Sequence, residues 1–457
     1  MIIDTREQIK AIEEVAQTEL HALRVPGAEV AVVYGDDVLL AKGFGTANSE
    51  TSVPVTPETL FRIGSMTKVV TAYTLISLIR EHGLNVQTPI GEYVSDLPPV
   101  LKPLTVHQLL THTAGLKDDD SDYGPHDESA LGRTVRRYDH DRFFTEPGKV
   151  FSYSGLGYAV AGVVIESISQ KPFEQAVRER VLDPLHMERS TFSLAQAMTF
   201  PFSQGHTADA SQLSVVRPYD DNATRWPAGF LFSNVIELAR LCIAFMNGGR
   251  LDGDQVLSPE VISVLVQPYT KPVDASDGQY YGYGLFVGEY HGMRTLEHGG
   301  GRRGFCSVLQ MLPERRFAII ELINQPNALL KTTQETAIEQ VLSLRPLLPP
   351  PSPNLVLTEV EREALIGRYV FPDINEAESG DITVFSKDGN LMLRLDDNLM
   401  IHLGLKGEAF PVLKKGETRF SFRPSPESQP IEFVLQKGLN KQEDYLCCAN
   451  RACKRVS

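Results

Sequence analysis

Apolar residues recur at helical spacing between residues 6 and 23, at Ile9, Ile12, Val15, Leu20 and Leu23, and the run stops before Val25-Pro26-Gly27. This pattern predicts an amphipathic N-terminal helix. Two strand-like runs follow, Ala28 to Tyr34 and Val38 to Gly45, and Gly35-Asp36-Asp37 between them reads as a hairpin turn. The next apolar run, Met66 to Arg80, differs in kind. Its Val69, Val70, Tyr73, Leu75, Ile76, Leu78 and Ile79 surround the helix almost completely, as expected for a helix buried between other layers. Only its start is polar.

Further along, Leu104 to Leu116 reads as a compact helix ended by Gly115, and apolar helices are predicted over Ala159 to Ile168 and Val235 to Asn247, the latter stopped at Gly248-Gly249. Strands return at Tyr283 to Tyr290, Arg294 to His298, Phe305 to Leu312 and Phe317 to Ile323, with His298-Gly299-Gly300-Gly301 as a bend interrupting them. At Leu347-Leu348-Pro349-Pro350-Pro351-Ser352-Pro353 consecutive prolines make a stiff connector. Short strands with regular turns beyond it, among them Gly367 to Val370, Ile382 to Phe385, Asn390 to Leu395, Arg419 to Phe422 and Ile431 to Leu435, predict a small antiparallel barrel. The expected organisation is an α+β domain over 1–345, a proline-rich linker over 346–355 and a barrel over 356–457.

The chain's 457 residues exceed one ordinary core, and its net charge of -14 argues against a surface built for nucleic acid or anionic lipid. A small-molecule or peptide substrate is expected, with the oligomeric state open. No basic segment followed by an apolar core opens the chain, and no run reaches membrane-span length, which predicts a soluble cytoplasmic protein. Five cysteines without framework spacing suit a reducing compartment. Cys447, Cys448 and Cys453 are expected as small buried hydrophobes, because adjacent strand residues point to opposite faces. His107, His126 and His206 have no metal-ligand spacing, and neither a metal nor a cofactor is expected. The turn-rich Asp118 to Pro125 lacks the glycine and glutamate of a calcium loop and reads as a solvated loop.

The candidate chemistry sits at the polar start of the buried helix. Ser65 and Lys68 are three apart and share a helix face. An amine there can take the hydroxyl proton if burial favours its neutral form, and backbone N–H groups of a helix start point at whatever is bonded to the serine. Ser-x-x-Lys alone is a common N-cap pattern, so partners elsewhere must support it.

With Ser65-Met66-Thr67-Lys68, Tyr153-Ser154-Gly155 and His298-Gly299-Gly300 in this order, the first 345 or so residues resemble the serine β-lactamase and penicillin-binding-protein superfamily, on the branch of class C β-lactamases, D-aminopeptidases, carboxypeptidases and esterases. Leu109 to Leu116, Pro147 to Tyr158, Pro184 to Met187 and Pro227 to Ser233 look like further family segments. The resemblance implies a β-lactamase/transpeptidase-like fold, an antiparallel sheet from both ends of the domain with a helical insertion from about 80 to 270. It also implies Ser65 as the acylated nucleophile, Lys68 and Tyr153 as its acid–base network, and His298 as a donor to the substrate carboxylate or to Tyr153. The backbone N–H groups of Ser65 and Gly301 would form the oxyanion hole, and Gly155, Gly299 and Gly300 would contact substrate. His112 is expected to shape a turn beside the site. Gly155 stands where many lactamases have an asparagine that contacts the substrate's amide side chain, and His298 replaces a lysine; both weaken a role in antibiotic resistance.

The tail resembles the lipocalin-like domain attached to some peptidases and peptide cyclases of this superfamily. Arg451 or Arg455 could reach over to bind a substrate carboxylate, against the plain alternative of a solvated basic terminus. The expected activity is a serine hydrolase acting through an acyl-enzyme on peptides, amides or esters, with D-residues among its substrates. A cyclase or acyltransferase of the same chemistry is the first alternative, a non-catalytic binding protein the second.

Overall fold

Strand Gly27–Tyr34 is buried on both faces along nearly its whole length, and the sheet grows outward from it. Its residues alternate between two cores: Ala28, Val30 and Val32 join Ile12, Ala16 and Leu20 of helix Thr5–Leu23, while Ala31 and Val33 face the larger helical core. A strand covered on both sides reads as a continuous apolar run, as this one does. In the computed structural model, residues 5–118, 121, 123–209, 212–272, 278–346, 355–371, 380–396, 400, 409–415, 418–423, 431–437, 444–448 and 450–456 are described.

Both ends of the first 345 residues build one eight-stranded antiparallel sheet, in the order 280–281, 286–290, 293–302, 305–312, 317–323, 27–34, 37–48, 53–54. Helices Thr5–Leu23 and Lys331–Leu342 cover its outer face. The other face packs on the helical segment that leaves the sheet after 54 and returns at 280. Helix Thr67–Glu81 lies within that layer, buried from Thr67 to Ile76. Among the described residues no helix is long and apolar enough to cross a membrane.

The structure corrects two local expectations. The strand Met293–Arg302 does not bend at His298-Gly299-Gly300-Gly301 but continues, pairing Gly299 with Val308, Gly300 with Ser307 and Gly301 with Cys306. The glycines serve close approach instead: a Cβ on Gly300 would lie 2.1 Å from the Ile63 carbonyl oxygen. Conversely, 283–285 is not strand, because Gly284 turns at φ +79° and its Cα packs onto the Lys68 backbone, where a Cβ would meet the carbonyl oxygen at 2.6 Å.

Beyond 355 the described strands form a nine-stranded antiparallel sheet. Its two outermost strands, Phe410–Pro411 and Leu413–Lys414, are separated only by Val412, so the sheet curls round nearly into a barrel. Tyr369, Leu393, Phe420, Phe433, Leu446 and Cys453 fill its interior. Cys448 points inward with them, whereas Cys447 points out with Tyr445 and Ala452 against Val150 of the first domain. All five cysteines are buried, and none is in a disulfide. Most of the proline-rich stretch, 347–354, lies outside the described residues.

Candidate active site

Ser65 sits on a 3-10 turn, Gly64–Met66, that runs directly into helix Thr67–Glu81. The sequence reading put it on the α-helix itself; the tighter turn instead brings residues i and i+3 nearly into line. Lys68 Nζ accordingly lies 3.1 Å from Ser65 Oγ, and it donates to the Ala228 carbonyl at 2.7 Å. Lys68 is buried, and its Nζ stands 4.6 Å from the Tyr153 ring centre and 5.3 Å from that of Tyr158. Gly64 turns at φ +56°, and a Cβ there would come within 2.7 Å of the Gly301 nitrogen. The serine turn and the glycine strand thus meet backbone to backbone, and Ser307 Oγ fastens them by donating to the Ile63 carbonyl at 2.9 Å.

Tyr153 arrives from the extended segment before helix Gly155–Ser169, whose N-cap is Ser154. His112 receives the Ser154 N–H at Nδ1 (3.0 Å) and packs its ring 4.2 Å from that of Tyr153. Burial, then Lys68, push the His112 pKa well down. Its turn-shaping place, at φ +58°, matches the sequence reading.

His298 is buried behind Tyr153, the ring centres 6.2 Å apart. Its Nδ1–H donates to the Gly299 carbonyl at 2.6 Å, and its Nε2 lies 3.2 Å from Tyr281 Oη. Burial, with a further push from Lys68, takes its pKa down to about 3, so the ring is neutral and Nε2 accepts from the tyrosine. This corrects the expectation that His298 donates to substrate or to Tyr153: both nitrogens are engaged with the protein. The histidine braces the glycine strand.

A cavity of about 150 Å³ opens over the serine, lined by Ser65, Lys68, Tyr153, Gly155, Gly301 and Phe230, with Arg225, Arg302, Arg451 and Asp118. Gly299 and Gly300, expected against substrate, line instead a neighbouring groove of about 800 Å³ that shares Gly301 and Arg302 with the cavity. Asp118, read as part of a solvated loop, is buried; its Oδ1 accepts the Gly155 N–H at 2.6 Å and its Oδ2 pairs with Arg451. Burial acts to raise the Asp118 pKa, but Arg451 and Arg225 outweigh it and hold the group below the usual carboxylate range. Arg451 comes from the barrel, its guanidinium 4.9 Å from the Tyr153 ring centre, so it is no solvated terminus. Arg455 stays within the barrel, on Asp444 at 3.1 Å. Among the described residues no His, Cys, Asp and Glu cluster could hold a metal ion.

The beta-lactamase family model matches residues 12–342. The chain belongs to the beta-lactamase family. Protein flp of Staphylococcus aureus (strain MW2) is 24% identical to it over 330 residues, 70% of this chain and 64% of flp, so the chain spans just under two thirds of that relative. Penicillin-binding protein 4 of Amycolatopsis lactamdurans is 27% identical over 310 residues, 65% of this chain and 79% of that protein. Among solved structures, SurE aligns with 98% of this chain and 99% of its own at a TM-score of 0.77 and 21% identity. SurE with D-Leu aligns at a TM-score of 0.71, again over 98% of this chain and at 21% identity, and covers the whole of that chain. These two likenesses concern the fold and extend through the barrel.

For a beta-lactamase-family chain, the motif residues Ser65, Lys68 and Tyr153 were visible in sequence and converge here. Asp118, Arg225 and Arg302 were not singled out. Arg302 is legible only once the strand is seen to continue past the glycines, and its partner Asp220, at 3.2 Å, comes from another loop. Arg225 directly precedes the recognised Trp226-Pro227-Ala228-Gly229 segment, a position from which it could have been proposed.

Proposed function

We propose that this chain is a serine hydrolase that acts through a Ser65 acyl-enzyme on peptides, amides or esters, with D-residues at the cleaved bond among its substrates. The observation that carries this reading is the 3.1 Å approach of Lys68 Nζ to Ser65 Oγ on the wall of a cavity. In the acylation step Lys68, as the neutral amine, takes the Ser65 proton while Oγ bonds to the substrate carbonyl carbon. The N–H groups of Ser65 and Gly301 receive the oxyanion. Collapse breaks the bond to the leaving amine or alcohol, which takes a proton from the Lys68–Tyr153 pair. Water then adds to the ester, its proton passes back through the same pair, and the acid leaves with Ser65 restored. Arg451 binds a substrate carboxylate from the barrel side. The stereochemical part of the proposal takes support from SurE, a neighbour in fold solved with D-Leu.

Intact-mass analysis and peptide mapping after incubation with p-nitrophenyl esters, D- and L-aminoacyl amides and a penicillin test this reading. An adduct on Ser65 that is absent in Ser65→Ala is expected. Folded protein that gives no adduct with any of these compounds or with a fluorophosphonate would favour a non-catalytic binding role.

Acyl transfer or cyclisation is the second reading, and the observation in its favour is that a residue of the barrel, Arg451, forms part of the cavity wall, where a covering unit would limit competing water. Product analysis with an ester or thioester, with and without added amine, separates it from hydrolysis: amide product at the expense of acid marks a transferase.

A further inference from the structure

Resting on the Ser65 hydrolase reading, we propose that His112 is the positioning residue of Tyr153: its imidazole ring, and not only its turn, holds the phenol in the cavity wall beside Lys68.

The turn asks two things of His112. It takes φ +58° just after helix Val106–Leu110, and its Nδ1 accepts the Ser154 N–H at 3.0 Å. Neither needs an imidazole, since asparagine also tolerates the left-handed region and carries an acceptor oxygen at the place of Nδ1. The ring brings a disadvantage instead. Because Nδ1 accepts from a backbone N–H, the neutral ring carries its proton on Nε2, and Nε2 is buried with no hydrogen-bond partner among the described residues. A buried donor left unpaired is destabilising, so the turn alone would favour a residue without it.

What the ring adds is a stack. Its centre lies 4.2 Å from that of Tyr153 with the planes 33° apart, 5.2 Å from that of Tyr158 and 4.8 Å from that of Tyr281. Tyr153 and Tyr158 are the rings that Lys68 Nζ approaches, at 4.6 Å and 5.3 Å, so His112 sets the spacing of the aromatic surroundings of the lysine. Tyr281 in turn meets His298, which braces the strand of Gly301. Burial and Lys68 keep the His112 ring neutral, so it adds no cation to those of Lys68 and Arg451 at the tyrosine. Tyr153 needs such support because it stands outside helix Gly155–Ser169, where no neighbouring helical turn restricts its rotamer and packing must do so.

The test is a double-substitution cycle read by pre-steady-state release of p-nitrophenolate from 4-nitrophenyl acetate, in wild type, His112→Asn, Tyr153→Phe and the pair. His112→Asn keeps the turn and the acceptor and removes the ring. Its acylation rate constant at saturation is expected to fall roughly 10- to 100-fold, the scale of a misplaced reacting group, with the dissociation constant of the ester little changed. Because the loss runs through the phenol, the pair should be no slower than Tyr153→Phe alone. Thermal melts check folding, and if His112→Asn does not fold, His112→Gly, for which φ +58° carries no strain, takes its place in the cycle. Acylation at the wild-type rate in the folded variant, or losses that multiply in the pair, overturns the proposal and leaves the hydrolase standing. A second readout needs no turnover. With carbon-13 in the tyrosine rings, the Tyr153 signal, identified by its disappearance in Tyr153→Phe, should shift when the His112 ring is removed; an unmoved signal overturns the stack. A shifted signal in a protein whose Ser65 forms no adduct supports the stack and removes the hydrolase reading instead.

Discussion

The carbonyl oxygen of Asn450, at the tip of the barrel hairpin 444–455, accepts the main-chain N–H of Tyr153 at 2.8 Å. Two further contacts flank it: the Ala452 N–H donates to Ser152 Oγ at 3.2 Å, and Thr145 Oγ1 lies 2.7 Å from Tyr445 Oη. The tyrosine that stands over Lys68 is therefore fixed in part by the second sheet, whose Arg451 also meets Asp118.

It follows that a chain ending at residue 345 should lose far more than selectivity. Without the hairpin, the Tyr153 N–H, the Ser152 hydroxyl and the apolar Val150 are all uncovered. Ester turnover is expected to fall roughly 100-fold or more, the scale of a misplaced acid–base group. Circular dichroism should still report a folded first domain, since its cores at Val32 and Val70 do not include the barrel. Wild-type turnover in the truncated protein would show the hairpin to be dispensable.

Ser65→Ala should abolish turnover, and Tyr153→Phe should slow acylation by roughly 100-fold or more. Pre-steady-state release of p-nitrophenolate checks both. Full acylation rates in Tyr153→Phe would remove the phenol from the proton path.

Gly300→Ala should loosen the junction of serine turn and glycine strand, because its Cβ would fall 2.1 Å from the Ile63 carbonyl oxygen and 2.2 Å from Ser307 Oγ. Overpacking of this kind costs about 1–3 kcal/mol. Urea unfolding should show the loss, and kcat should fall as the proposed oxyanion site of Ser65 and Gly301 is pushed apart.

Glu321 is buried in strand Phe317–Ile323, its Oε2 taking N–H groups from Leu330 at 3.1 Å and Gln334 at 2.9 Å. Burial pushes its pKa up to about 8, and it raises that of the buried Glu29 as well. A carboxyl whose folded pKa is raised binds more protons folded than unfolded, so its contribution is complete below the unfolded value near 4.5 and is lost as pH rises towards 8. Melting temperatures should therefore decline from pH 5 to pH 8, and Glu321→Gln should flatten that decline. An unchanged slope would assign the pH dependence to other groups.

Much of this architecture could be read from the chain because its signals are local. The Thr5–Leu23 helix, the 27–48 hairpin, the buried helix after Ser65 and the short strands of the barrel each follow from the spacing of apolar residues and from turn chemistry within a few positions. Ser65, Lys68 and Tyr153 were legible for the same reason, as motifs of adjacent residues. The site's electrostatics were not. Asp118, Arg225 and Arg451 come from three segments far apart in sequence, and what each does depends on the others: Asp118 in an open loop would be a solvated acid, and Arg451 at a free terminus a solvated base. Burial together changes both. The glycines show the same division, since Gly299-Gly300-Gly301 as a local pattern reads as a bend, and only the approach of the Ile63–Gly64 backbone reveals a continuous strand that needs to be thin. Periodicity along the chain determined which elements form; the contacts between segments distant in sequence decided which charges are buried, which histidine is neutral and which wall faces the serine.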